Sequence, residues 1–195
     1  VQFFSLPRAR PGVLGVAVVL LLLLAVSPAG ATEGDVVAWG SNGHSESNVP
    51  VGLVATQVSA GYYHSVALRP DGSVKVWGRN TEGERYVPTG LVATQIDAGW
   101  YHSVALRPDG SVAAWGSNRY GQCTVPVGLV ATQVAAGYYH SVALCPNGSV
   151  VVWGNNWYGQ CNVPAGLVAT QVTTWKNHLL AVRPDGSVVA WGDNE

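Results

Sequence analysis

Histidine stands at positions 64, 102, 140 and 178, and serine follows it at Ser65, Ser103 and Ser141. Two chemistries use such residues. Imidazoles converging on one point bind a metal ion at about 2.0–2.1 Å. An imidazole within hydrogen-bond reach of a hydroxyl, and oriented by a carboxylate, makes a nucleophile. The spacing argues against both. His64, His102, His140 and His178 fall 38 residues apart in nearly identical surroundings, so they hold equivalent places in a repeated unit. Adjacent residues of a strand point to opposite faces, so His102 does not activate Ser103. The reading is four structural imidazoles, each bonding backbone inside its own unit, with no catalytic residue, no metal and no cofactor. His44, alone in a variable stretch, reads as solvated. Asp71, Asp109 and Asp185 belong to turns. No phosphate-binding loop, dinucleotide fingerprint, His-Glu-x-x-His or calcium loop is present in the sequence.

The stronger functional signal is the pair before each histidine: Tyr62-Tyr63, Trp100-Tyr101 and Tyr138-Tyr139. Each pair follows a glycine at the entry to a strand. Repetition sets the pairs in an arc at one end of the fold, with at least one ring of each pair exposed. Large rings with polar tips are what protein interfaces use as anchors. Four segments between near-constant flanks vary strongly: Ser41–Asn48, Arg79–Tyr86, Ser117–Thr124 and Asn155–Asn162. They add Tyr120, Trp157 and Tyr158, with Glu82, Arg85, Tyr86 and Arg119, to the same end or the opposite one. Loops on a rigid scaffold carry specificity, so the expected partner is a protein.

The elements that position these residues follow from one unit, Leu91 to Gly128. Leu91–Ile96 is β-branched and predicts a strand; His102–Leu106 alternates and predicts a second. Arg107-Pro-Asp-Gly110 is a turn in which Pro108 presets φ, Asp109 bonds local backbone and Gly110 accepts positive φ. It closes a hairpin onto Ser111–Trp115. Asn147-Gly-Ser149 matches a glycosylation acceptor but occupies the same turn. Trp39, Trp77, Trp115, Trp153 and Trp191, each before glycine, read as core residues packed between units. Three or four short strands per 38 residues, without helical periodicity, predict an all-β propeller of short antiparallel blades over residues 36–195. That span is 160 residues, about 4.2 periods, and reads as part of a larger ring.

Residues 1–31 differ in kind. Arg8 and Arg10 precede the apolar run Val13–Val26, and Ala29 and Ala31 follow it, the order of a secretory signal peptide. Fourteen helical residues span about 21 Å, short of a bilayer core of about 30 Å. The expectation is a signal helix over 1–31, a linker over 32–35 and a secreted or periplasmic product, touching membrane only if the signal stays uncleaved. Setting Arg8 and Arg10 aside leaves 8 basic against 11 acidic side chains and no basic run, which excludes a nucleic-acid face. Cys123 and Cys161 occupy equivalent places and Cys145 replaces an arginine of the other units; no structural disulfide is expected.

The pattern Ala-Gly-x-x-His-Ser-x-Ala-Leu, then Gly-x-Val-x-x-Trp-Gly-x-Asn-x-x-Gly-Gln, resembles the regulator of chromosome condensation repeat. The resemblance covers about Val36 to Glu195 and implies a β-propeller of four-stranded blades, usually seven in a closed ring. The short unit, the signal and the Gly-Gln-x-x-Val-Pro ending are most similar to the secreted bacterial β-lactamase inhibitory proteins of the second type, whose aromatic face contacts the target enzyme. The function implied is a non-enzymatic, exported binder, an inhibitor of a secreted enzyme such as a β-lactamase. The alternatives are a small-ligand binder or enzyme using the propeller channel, and guanine-nucleotide exchange, which rests on family resemblance alone.

Overall fold

In a computed structural model, residues 18–21 and 34–194 are described, and among them every regular element is a strand. Four blades repeat one plan. The first holds β4 (Gln57–Ala60), β5 (His64–Leu68) and β6 (Val74–Gly78), the second β7 (Gln95–Ala98), β8 (His102–Leu106) and β9 (Val112–Gly116). The third holds β10 (Gln133–Ala136), β11 (His140–Leu144) and β12 (Val150–Gly154), the fourth β13 (Gln171–Trp175), β14 (His178–Val182) and β15 (Val188–Gly192). Each is a consecutive antiparallel sheet of three strands, not the four implied by the resemblance. The strands β4, β7, β10 and β13 stand side by side, which places them innermost.

A leading sheet precedes the first blade. In it β2 (Gly34–Trp39) pairs with β1 (Val18–Leu21) on one edge and β3 (Val54–Ala55) on the other. The expected signal segment lies outside the described residues apart from Val18–Leu21. Those four are a strand, not helix: Val18 faces Trp39 and Leu21 faces Val36, the register that Ser65 and Leu68 keep against Trp77 and Val74. An open edge on β2 would leave backbone groups unpaired. Gly34 and Asp35, read as linker, pair with Ala55 and Val54.

The hairpins form as their turn residues dictate. Gly110 donates to the Arg107 carbonyl at 3.0 Å with φ +82°, and the Asp109 carboxylate accepts from Ser111 N and Oγ at 2.9 and 2.7 Å. Those bonds hold the Asp109 carboxyl below its usual range. Asn147 repeats the turn with Ser149. The expected strand over Leu91–Ile96 is corrected: the strand is Gln95–Ala98. Leu91 and Ala93 are buried because they dock between blades, and Ala93 N donates to the Gly72 carbonyl of the preceding hairpin at 2.8 Å. Apolar composition there reflects packing rather than sheet pairing.

Blade-to-blade packing makes the core. Val66, Leu68 and Val76 of the first blade meet Leu91, Ala93, Ile96, Ala105 and Trp115 of the second, and the same plan recurs at the other junctions. Burying one such valine or leucine contributes about 1.5–3 kcal/mol. Trp77, Trp115 and Trp153 are buried as expected; Trp191 is half-buried and Trp39 exposed. The inner strands are also clamped. Gln95 donates from Nε2 to the Val134 carbonyl at 3.2 Å and accepts from Val134 N at 2.9 Å. Gln57 does the same to Ile96 and Gln133 to Val172.

Candidate protein-binding face

The histidines fix the foundation of this face, by bonds the sequence reading did not anticipate. They bond side chains of the next blade, not backbone of their own. His64 Nε2 lies 2.9 Å from Ser103 Oγ, His102 Nε2 3.0 Å from Ser141 Oγ, and His140 Nε2 2.7 Å from Thr174 Oγ1. Ser141 Oγ spends its proton on the Gln122 carbonyl at 2.8 Å, so His102 must be the donor. Its Nε2 therefore carries the hydrogen, and its Nδ1 is left without a partner, as are those of His64 and His140. Burial holds all three imidazoles neutral, at about 4 for His64, about 3 for His102 and about 4 for His140. The fourth blade replaces the serine by Leu179 and an inner-strand alanine by Thr174. The two changes compensate, because Thr174 supplies the hydroxyl for His140.

Glycine sets the aromatic pair on this base. Gly99 N donates to the His102 carbonyl at 2.9 Å, and a Cβ at Gly99 would lie 2.3 Å from the Gly137 oxygen and 2.5 Å from His102 Cε1. Only hydrogen fits there. Trp100 N donates to the Gly137 carbonyl at 3.3 Å and Tyr138 N to the Lys176 carbonyl at 2.9 Å, so these two pairs are tied to the following blade.

The rings meet across blades. Tyr62 lies 4.7 Å from Trp100, and Trp100 lies 4.0 Å from Tyr138. Tyr63, Tyr101 and Tyr139 form a second row, with centroids 6.0 and 6.2 Å apart and rings tilted by 33° and 30°. None of the six is fully exposed, contrary to the expectation of one exposed ring per pair: all are half-buried against one another. Burial, with Tyr101 nearby, pushes the Tyr138 and Tyr139 phenols up, so both stay neutral hydrogen-bonding groups.

The open question of which end the variable loops occupy is answered by their first bonds. Arg79 N, Ser117 N and Asn155 N donate to the carbonyls of Tyr63, Tyr101 and Tyr139 at 2.9, 2.8 and 2.8 Å. The loops therefore rise from the aromatic end. Tyr120 lies 4.9 Å from Tyr139 and 5.0 Å from Trp157, extending the band outward, and Trp157 and Tyr158 are exposed. Tyr86 and Arg119 are exposed too. His44 is exposed but not merely solvated, since its ring packs edge-on to Tyr63 at 4.6 Å.

Three groups were missed. Trp175, in the degenerate copy, joins the band 5.9 Å from Tyr138. The Arg79 guanidinium lies 5.3 Å from the Tyr63 ring and 4.7 Å from Tyr101, a cation–π contact. Inside the variable loops, Glu46, Glu84, Gln122 and Gln160 are buried and fold their loops from within. Gln122 Oε1 accepts from Tyr120 N at 2.9 Å and Gln160 Oε1 from Tyr158 N at 2.8 Å. Their spacing of 38 residues was the available signal. The next blade clasps the same residue: Trp153 Nε1 donates to the Gln122 carbonyl at 2.9 Å, Trp115 to Glu84 at 2.8 Å and Trp191 to Gln160 at 2.9 Å.

Among the described residues no three His, Cys, Asp or Glu side chains are grouped to hold a metal. Cys123, Cys145 and Cys161 are free thiols. The Cys123 and Cys161 sulfurs bond the Ser117 and Asn155 carbonyls at 3.1 and 3.2 Å, and burial pushes Cys123 up to about 12. The His–Ser pairs across blades are buried, so no substrate reaches them.

Blades of antiparallel strands turned about an axis, with one ring-covered end, define a β-propeller of the repeat-built kind. The sequence profile of the regulator of chromosome condensation (RCC1) repeat matches residues 55–84, 93–122 and 131–160, and the chain belongs to that repeat family. Among solved structures it is similar to the receptor kinase CR4 ectodomain of Physcomitrella patens, with a TM-score of 0.71 and 25% identity over 83% of this chain and 47% of that one. It is similar in fold to human WBSCR16, with a TM-score of 0.68 and 20% identity over 82% and 56%. Prp20p from Saccharomyces cerevisiae, studied for its binding to Gsp1p and histones, aligns with a TM-score of 0.63 and 20% identity over 82% and 48%. The chain spans about half the length of these structures. No curated protein matches it in sequence.

Proposed function

We propose that the protein is an exported, non-enzymatic propeller that captures another protein on its aromatic end. The observation that carries this reading is the continuous band from Tyr62 through Trp100 to Tyr138, with variable loops bearing Trp157 and Tyr158 beside it. Backbone bonds and glycine contacts hold the rings before any partner arrives, which lowers the ordering cost of association. Protein partners of propellers similar in fold support the reading. The finer version is inhibition of a secreted enzyme such as a β-lactamase: the rigid end caps the active-site rim and excludes substrate.

The test is binding and inhibition measured against purified secreted β-lactamases, beside a Trp157→Ala, Tyr158→Ala variant. Truncating an anchoring ring costs about 2 kcal/mol, or about thirtyfold in Kd. Binding lost in the variant, with an unchanged far-UV spectrum, supports the face. Absence of inhibition overturns the enzyme version, and partner capture indifferent to Trp157, Tyr158 and Trp100 overturns the face itself.

A further inference from the structure

Arg79 opens its variable loop at a position where the other loops carry a small polar residue, Ser41, Ser117 or Asn155. Two of those side chains serve the loop's interior. Ser41 Oγ donates to the buried Glu46 Oε1 at 2.8 Å, and Asn155 Oδ1 accepts from the buried Gln160 Nε2 at 3.0 Å. The Arg79 side chain instead lies against the Tyr63 and Tyr101 rings, at 5.3 and 4.7 Å. Closing a loop on a buried carboxylate takes no more than the Ser41 hydroxyl, so the fold does not account for the charge. Nor is its bonding spent. Arg79 Nε donates to Thr81 Oγ1 and stands 3.8 Å from Glu84 Oε1, while Nη1 and Nη2 make no hydrogen bond among the described residues. Glu82, exposed on the same loop, does not pair with Arg79. The Arg79 side chain is 20% exposed, so a partner can reach the two unspent nitrogens. Further along the row, the exposed Arg119 lies close enough to Tyr139 for its charge to oppose the upward push on that phenol.

We infer that this end takes an acidic segment of its protein partner, one Asp or Glu of which seats its carboxylate on Nη1 and Nη2 of Arg79. Apolar neighbours of that acid lie on the Tyr63, Tyr101 and Tyr139 rings. The inference rests on the reading of this end as a protein-binding face. A guanidinium presents a planar fork that meets a carboxylate with two parallel hydrogen bonds. The cation–π contacts hold that fork in place before association, and Arg119 adds attraction for a second acid. The charge complementarity is local, since the whole chain carries a net charge of −1.

The test selects phage-displayed random peptides on the immobilised full chain and measures each clone against variants. Arg79→Ser removes the charge and rebuilds over Glu84 the pairing that Ser41 makes with Glu46, so its loop should fold. Arg79→Asn with Glu84→Gln, which rebuilds the Asn155–Gln160 pairing, serves if it does not. Clones should carry Asp or Glu, bind Arg79→Ser at least about tenfold more weakly, and lose as much when that acid is changed to its amide. The amide change should cost nothing further in Arg79→Ser, because the two groups act as one pair. Clones that need Trp157, Tyr158 or Trp100 but bind Arg79→Ser as well as the wild type overturn the inference and leave the protein-binding face standing. Clones indifferent both to Arg79 and to those rings, or no clone at all, overturn the two together.

Discussion

Acid should dismantle this fold in a pH range where most carboxylates are still ionised. His64, His102 and His140 are buried and neutral, at about 4, about 3 and about 4, against 6.5 for the free side chain. Because the folded values lie below the unfolded one, the unfolded chain binds more protons below pH 6.5. Stability is therefore complete above that pH and is lost as pH falls toward 4. At pH 5 each imidazole costs about 2 kcal/mol relative to pH 7.5, and the three together about 6 kcal/mol. That is comparable with the whole stability of a domain this size. Asp71, Asp109 and Asp185, held low by bonds from their neighbouring serines, lose their contributions only at lower pH. Asp97 works with opposite sign, since burial pushes its carboxyl up and its contribution is lost as pH rises. Urea unfolding at a series of pH values between 7.5 and 5 measures the slope. His102→Gln, which removes one titrating group, should be less stable at pH 7.5 but flatten the slope by about a third. Stability independent of pH across this window, or imidazoles titrating near 6.5 in the folded protein, would refute the reasoning.

Three further outcomes follow from the geometry. Gly99→Ala forces a methyl against the Gly137 oxygen and the His102 ring; it should destabilise by about 2 kcal/mol or more in urea and blur the near-UV signal of Trp100 and Tyr101. Gln95→Ala removes both bonds of an inner clamp and should cost about 1–3 kcal/mol, with faster hydrogen exchange at the Val134 amide. If residues 1–31 are the signal we propose, cleavage takes β1 (Val18–Leu21) off the edge of β2, and expression in a bacterial host should release a product whose N-terminal sequence begins at Thr32; full-length chain retained in the membrane fraction contradicts it.

The repeat made much of this architecture legible, because one strand-turn-strand unit written several times at constant spacing admits few folds. The hairpins were readable for a local reason: Pro108, Asp109 and Gly110 each act within their own turn. What stayed hidden depends on partners one blade away. Nothing near His64 in sequence names Ser103, and nothing near Gln95 names Val134. Leu91–Ile96 misled because a β-branched run looks the same whether it pairs in a sheet or wedges between two. The aromatic pairs could be placed on one end from their register, but the end taken by the variable loops waited on the bonds from Arg79, Ser117 and Asn155 to the tyrosine carbonyls. The compensation between Leu179 and Thr174 makes sense only once both are seen beside His140.

The clasp of three variable loops by the tryptophan of the following blade has an evolutionary corollary. The grip falls on a main-chain oxygen, at Glu84, Gln122 and Gln160 alike, so it makes no demand on the residues at the loop's crest. Selection can rewrite one crest without retuning its neighbours, much as tools are swapped in a common handle. The second-blade clasp already shows the latitude: Glu84 pairs with Arg79 at 3.8 Å where Gln160 bonds Asn155, and the indole holds both.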